Sequence, residues 1–188
     1  MNRFIALALA ASISSIAYAA PETFTLDTNH TKPRFEYNHM GFSEQLSRFD
    51  DVKGTITLDR AAKTGSVDVE IDAKSVDSGY PLFNKHLQDE DFFDTAKYPT
   101  ITFKSSHFKF DGDKLVAVDG DLTIKGITKP VTLTVTSMMC MPHPMMKKEA
   151  CGANATAVVK RSEFNMAKYT PLVGDDVTLT IPVESIKQ

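Results

Sequence analysis

Five histidines, His30, His39, His86, His107 and His143, are the side chains best able to move protons or hold a metal near neutral pH. None stands at metal-ligand spacing from another. The chain also has no H-E-x-x-H, no G-x-S-x-G, no phosphate-binding glycine loop and no C-x-x-C, so no motif assigns catalysis. No catalytic residue, metal or cofactor is expected. An alternative reading makes the chain an enzyme on an apolar substrate, with His39 or His86 as its acid-base group. Asp89, Glu90, Asp91 and Asp94 form an acidic cluster without the D-x-D-x-D-G order of a calcium loop, and they read as the solvated face of a helix.

Cys140 and Cys151 are the chain's two cysteines. A structural disulfide across a hairpin base is expected, worth about 3 kcal/mol on the chain-entropy estimate. A redox pair or metal thiolates are the competing readings. Five of the eight methionines crowd into Met138-Met139-Cys140-Met141-Pro142-His143-Pro144-Met145-Met146, followed by Lys147-Lys148. Thioethers and imidazole suit Cu(I), which makes a copper-binding or interaction protein a second alternative. Methionine also makes adaptable apolar surface. The segment is then either a projecting loop in transient contact with a membrane, at about 1 kcal/mol per lysine near anionic headgroups, or an inward-folded part of the core.

These groups need elements to position them. A chain of 188 residues suits one domain. Its 21 Lys and Arg against 24 Asp and Glu provide no concentrated basic surface, so nucleic acid is not an expected partner. Residues 1–19 read as a signal peptide: a basic start at Met1-Asn2-Arg3, an apolar run from Phe4 to Ala11, and Ala17-Tyr18-Ala19 as the cleavage site. Cleavage after Ala19 leaves 20–188 as an exported mature domain, in which a disulfide can form.

From Thr23 onward the apolar pattern has period two, as in Ser66-Val67-Asp68-Val69-Glu70-Ile71-Asp72. It recurs at Phe35 to Asn38, Ile56 to Asp59, Ile101 to Lys104, Leu122 to Lys125, Leu133 to Thr136 and Val177 to Ile181, and more weakly through Ala155, Ala157 and Val159. Turn signals stand between strands at Lys63-Thr64-Gly65, Asp111-Gly112-Asp113 and Gly174-Asp175-Asp176. At least eight strands with one apolar face each are satisfied by two sheets packed face to face or by one sheet closed on itself, which also removes exposed edges; an all-β, up-and-down barrel fits the hairpin spacing better. Pro81 to Lys97 breaks the alternation. Phe83 and Leu87 share a helical face there, so a short helix or helical turns is expected over one barrel mouth.

An ordered series of motifs resembles the YceI family of secreted, lipocalin-like proteins. It runs through Asp27-Thr28-Asn29-His30-Thr31, Phe35 to Gly41, Ser75-Val76-Asp77-Ser78-Gly79, His86-Leu87, Asp91-Phe92-Phe93-Asp94, Tyr98 to Ser105, Gly120 to Val131 and Lys160-Arg161-Ser162-Glu163-Phe164. Departures fall at Ser47 before Arg48-Phe49, at Lys85 and at Asn165. The resemblance implies an eight-stranded antiparallel lipocalin-like barrel whose long apolar cavity holds an isoprenoid quinone, a polyprenyl phosphate or another long-chain lipid.

The alternation independently nominates a cavity wall of Phe35, Tyr37, Leu58, Val69, Ile71, Ile101, Phe103, Leu122, Ile124, Leu133, Val135 and Leu179. His39, Phe83, His86, Leu87, Phe92 and Phe93 complete the expected ligand-binding set at the mouth. The expected function is a periplasmic binder that transports, stores or buffers a long apolar amphiphile, and the enzymatic alternative would act on an isoprenoid-like substrate. A homodimer is among the oligomeric states the sequence allows.

Overall fold

A computed structural model of the protein describes residues 20–188. The expected signal peptide and its cleavage site lie outside the described residues. In chain order the elements are β1 (Glu22–Leu26), β2 (Arg34–His39), β3 (Ser43–Phe49), β4 (Val52–Asp59), β5 (Thr64–Asp72), β6 (Val76–Asp77), α1 (Pro81–Leu87), β7 (Thr100–Asp111), β8 (Lys114–Ile124), β9 (Ile127–Pro142), β10 (Glu149–Lys160) and β11 (Val173–Lys187). Every segment with period-two alternation is a strand.

Strands β1, β4, β5, β7, β8, β9, β10 and β11 form a ring, because β1 pairs with both β4 and β11. All the pairings are antiparallel, and the result is a closed eight-stranded barrel. The longest strands exceed the ring's needs. The final part of β11 pairs with β1 (Leu26↔Ser185), whereas its first half pairs with β2 (Thr180↔Arg34), and β3 and β6 continue outward from there.

The loop between β1 and β2 is tied by its own side chains. Asp27 accepts from the Asn29 amide at 2.9 Å and bonds the His30 ring at 2.8 Å, while the Thr31 hydroxyl donates to the Glu184 carbonyl at 3.1 Å. The His30 contact holds the Asp27 carboxyl below its ordinary range and lifts His30 above its own. The His30 contribution is therefore complete below about pH 6.5 and is lost as pH rises through its raised value; the Asp27 contribution is lost as pH falls through its lowered one. An NMR titration should place the His30 midpoint above the free-imidazole value, and Asp27→Asn should move it back down.

Two turns depart from the expected ones. Gly174-Asp175-Asp176 is not a turn but a bulge inside β11, where the pairing jumps from Val173↔His39 to Val177↔Tyr37. The reason is tertiary: the Asp175 carboxylate accepts from the Ser162 amide (2.9 Å) and hydroxyl (2.8 Å), pulling this backbone toward the segment after β10. Conversely, Lys125 ends no strand. Lys125 and Gly126, with φ of 52° and 73°, make the two-residue turn joining β8 to β9.

Helix α1 is shorter than the apolar segment that contains it. Asp89, Glu90, Asp91 and Asp94 consequently lie on turns beyond the helix end, not on a helix face. Asp91 is paired with Lys168. The Lys125 ammonium donates to the Glu90 carbonyl at 2.7 Å and to the Asn165 carbonyl at 3.0 Å, which pins the α1 segment and the segment after β10 to the same end of the barrel. That end is called the helix end below. The hairpin joining β9 to β10 stands at the opposite, disulfide end.

Candidate functional site

The barrel encloses a cavity of about 360 Å³ whose wall is almost wholly apolar. Its existence is legible in burial. Ile56, Val67, Val69, Leu115, Val131, Leu133, Val135 and Leu179 pack against the core, yet each is only half-buried. Residues packed on all sides would be fully covered; these border the open interior space. All eighteen residues nominated from the sequence border the same cavity, the mouth set included.

The wall is not uniform. Leu87 and Phe93 are fully buried in the main core, and Phe93 meets the rings of Phe35 at 5.7 Å and Phe49 at 5.3 Å. Phe83 and Phe92 are half-buried, so they line the space without closing the core. The His86 ring stacks edge-on to Phe92 at 4.8 Å, and its Nδ1 lies 3.5 Å from the Asp89 carboxylate. His39 and His86 are the histidines that border the cavity. His30 and His107 are exposed, and His143 is used inside its hairpin, accepting from the Met145 and Met146 amides at 3.2 Å.

A polar group at the helix end to which the sequence assigned no role is Arg161. Arg161 is only 7% exposed and borders the cavity. Its Nε donates to the Gly174 carbonyl (2.7 Å), one Nη to the Met166 and Lys168 carbonyls, and the other to the Thr170 hydroxyl (3.0 Å) and the Val173 carbonyl (2.9 Å). Those five bonds use every N–H of the guanidinium. Burial pushes the Arg161 pKa down, opposed by the negative charge of Asp175, but an arginine stays charged in any case. Tyr37 lies on the inward face of β2, where burial pushes its phenol up and the Arg161 charge pulls it back. Arg161 stood in a quoted motif, but no local pattern announces that its donors meet a loop folded over it.

At the other end the Cys140–Cys151 disulfide joins paired positions of β9 and β10. Cys151 packs with Phe24 and Leu58 in a second, smaller cluster that also touches Phe108 and Phe110. Reduction should lower the stability by about 3 kcal/mol, seen as a lower unfolding midpoint in the presence of a thiol reductant. Of the methionines in this segment Met138 borders the cavity, whereas Met139, Met141, Met145 and Met146 are exposed, Met145 to 84%.

The profile of the YceI-like domain family matches residues 24–185. The protein YceI of Escherichia coli O157:H7 is 36% identical over 173 residues, covering 92% of this chain and 90% of that protein. Among solved structures, BcnA of Burkholderia cenocepacia superposes with a TM-score of 0.70 at 27% identity, over 85% of this chain and 98% of that one. A polyisoprenoid binding domain from Saccharophagus degradans, at 17% identity, shares the fold with a TM-score of 0.66 over 88% of this chain and 98% of its own. Nearly the full length of the described chain is thus matched in sequence by the family and in fold by these solved structures, and the chain belongs to the YceI family.

Proposed function

We propose that the protein is an exported binding protein that encloses the hydrocarbon tail of a long isoprenoid or similar lipid and carries or stores it in the periplasm. The observation that carries this reading is the half-buried inward face of a closed barrel: apolar side chains border a space that no protein group fills. Transferring a hydrocarbon into it is favourable by roughly 25 cal/mol per Å² of apolar surface removed from water, and needs few directional bonds. The name of the Saccharophagus degradans neighbour, a polyisoprenoid binding domain, supports the same ligand class. The disulfide fits an oxidising compartment.

Mass spectrometry of lipids extracted from protein purified from its native compartment tests the reading. A stoichiometric isoprenoid or fatty-acid-like species is the expected result; repeated recovery of lipid-free protein overturns it. The exposed methionines and the neighbouring Lys147-Lys148 support a transient membrane contact during loading. Replacing Met145 and Met146 by serine and Lys147 and Lys148 by glutamine should slow lipid transfer from anionic vesicles several-fold and leave stability unchanged. Unaltered transfer removes the docking role.

A further inference from the structure

We propose that residues 106–116, the outer part of the β7–β8 hairpin, form a hinged flap that gates a lipid port at the disulfide end, beside the exposed methionines that meet the membrane. The inference rests on the lipid-binding reading above and adds the route by which the lipid passes. In the ring, β7 pairs with β5 only as far as Val67↔Ser105, and β8 pairs with β9 only as far as Ala117↔Thr134. Beyond those positions the two strands pair with each other alone among the described residues, out to Asp111↔Lys114. Residues 135–142 of β9 likewise find strand partners only in β10. The hairpin can therefore swing outward without breaking a ladder on either side.

Both of its roots are bulged. Ser105 and Ser106 together stand opposite the single Gly120, and Val116 is an extra residue between Leu115 and Ala117. Bulges of this kind bend a strand and end its pairing. The Ser105 hydroxyl donates to the Asp119 carbonyl at 2.5 Å and accepts from the His107 amide at 3.1 Å, which fixes the hinge. The arm beyond it is held lightly, and no residue from 106 to 116 is fully buried. Phe108 and Leu115 border the cavity, and Phe110 packs against the cluster of Phe24, Leu58 and Cys151. The Phe108 ring fits over Gly65, where a Cβ would come within 2.4 Å of it. These side chains stop the disulfide end. The tip is latched by Lys63, which donates to the Gly112 carbonyl at 2.7 Å and pairs with Asp113 at 3.2 Å.

The helix end is closed more firmly. Opening it would break the Lys125 bonds to two carbonyls, the Lys168–Asp91 pair or the five bonds of Arg161. Across the flap's free edge stands Met138, also at the cavity border, on a strand that the disulfide ties to β10. The flap thus moves against a fixed post, and the exposed methionines of that post set the port against a bilayer.

A double variant, Lys63→Cys with Asp113→Cys, tests this, since the protein has no free cysteine and the new thiols can be coupled by a short bis-maleimide. The readout is the exchange of anthroyloxy-labelled palmitate with phosphatidylglycerol vesicles. Uncoupled, the variant has lost an exposed latch and should exchange the probe about two- to fivefold faster than the unmodified protein. Coupled, it should exchange about tenfold more slowly than the unmodified protein, with the same amount of probe bound at saturation. A coupled protein that exchanges as fast as the uncoupled one overturns the flap while lipid binding stands. If the unmodified protein takes up no probe, the lipid-binding reading falls and the flap with it.

Discussion

Replacing Arg161 with methionine is expected to cost about 3 kcal/mol or more of unfolding free energy, because several acceptors inside the fold lose their donor at roughly 1–3 kcal/mol each. The side chain holds four carbonyls and one hydroxyl of the segment that runs from β10 into β11, including Val173 and Gly174 where the bulge begins. Without it those acceptors are left inside the fold with no donor. Lysine should restore little, because an ammonium has three donors on a flexible stem and cannot reproduce the planar fork. Urea denaturation of the two variants beside the unmodified protein measures this. A loss below about 1 kcal/mol in the methionine variant would mean that water replaces the guanidinium and that the segment is not held by it.

Phe93→Ala should be comparably damaging, at about 3–5 kcal/mol, whether or not lipid is bound. Its ring is buried among Phe35 and Phe49, so the change leaves a void in the core. The sequence suggests one entry-lining role for Phe83, Leu87, Phe92 and Phe93 together; the structure divides them. Leu87 and Phe93 are buried in the core, whereas Phe83 and Phe92 are half-buried on the cavity side, Phe92 against His86. Phe92→Ala should therefore cost about 1 kcal/mol or less and change the rate of lipid exchange. Parallel thermal melts and exchange kinetics, with and without lipid, separate the pair. Recovery of Phe93→Ala stability on adding lipid would show that its ring faces the ligand and not the core.

Much of this was legible in the chain because a strand's period is two residues and needs no distant information. Val67, Val69 and Ile71 alternate in sequence and all face inward in the barrel. The same rule placed Phe35 and Tyr37, Ile101 and Phe103, Leu122 and Ile124, and Leu133 and Val135 along one wall. It could not say whether that wall met another side chain or an open space, since alternation is identical in a solid core and in a lined cavity. The degree of burial that distinguishes them depends on the diameter of the closed ring.

Local composition failed where distant groups set the backbone. Gly174-Asp175-Asp176 has the composition of a turn, but the demands of Ser162 and Arg161 make it a bulge within β11. Likewise the apolar residues from Pro81 to Lys97 suggested helical structure, and the length of α1 was decided by how the following turns pack over the barrel end. The sequence by itself determined an all-β domain and the inward face of its strands and favoured a closed barrel and a Cys140–Cys151 bridge, because alternation and cysteine number are properties of the chain. Only the tertiary structure decided that the interior is open and that Arg161 has none of its donors to spare. The first depends on strands from both ends of the chain closing one ring, the second on the loop after β10 folding back over Arg161, and neither is encoded in a period along the chain.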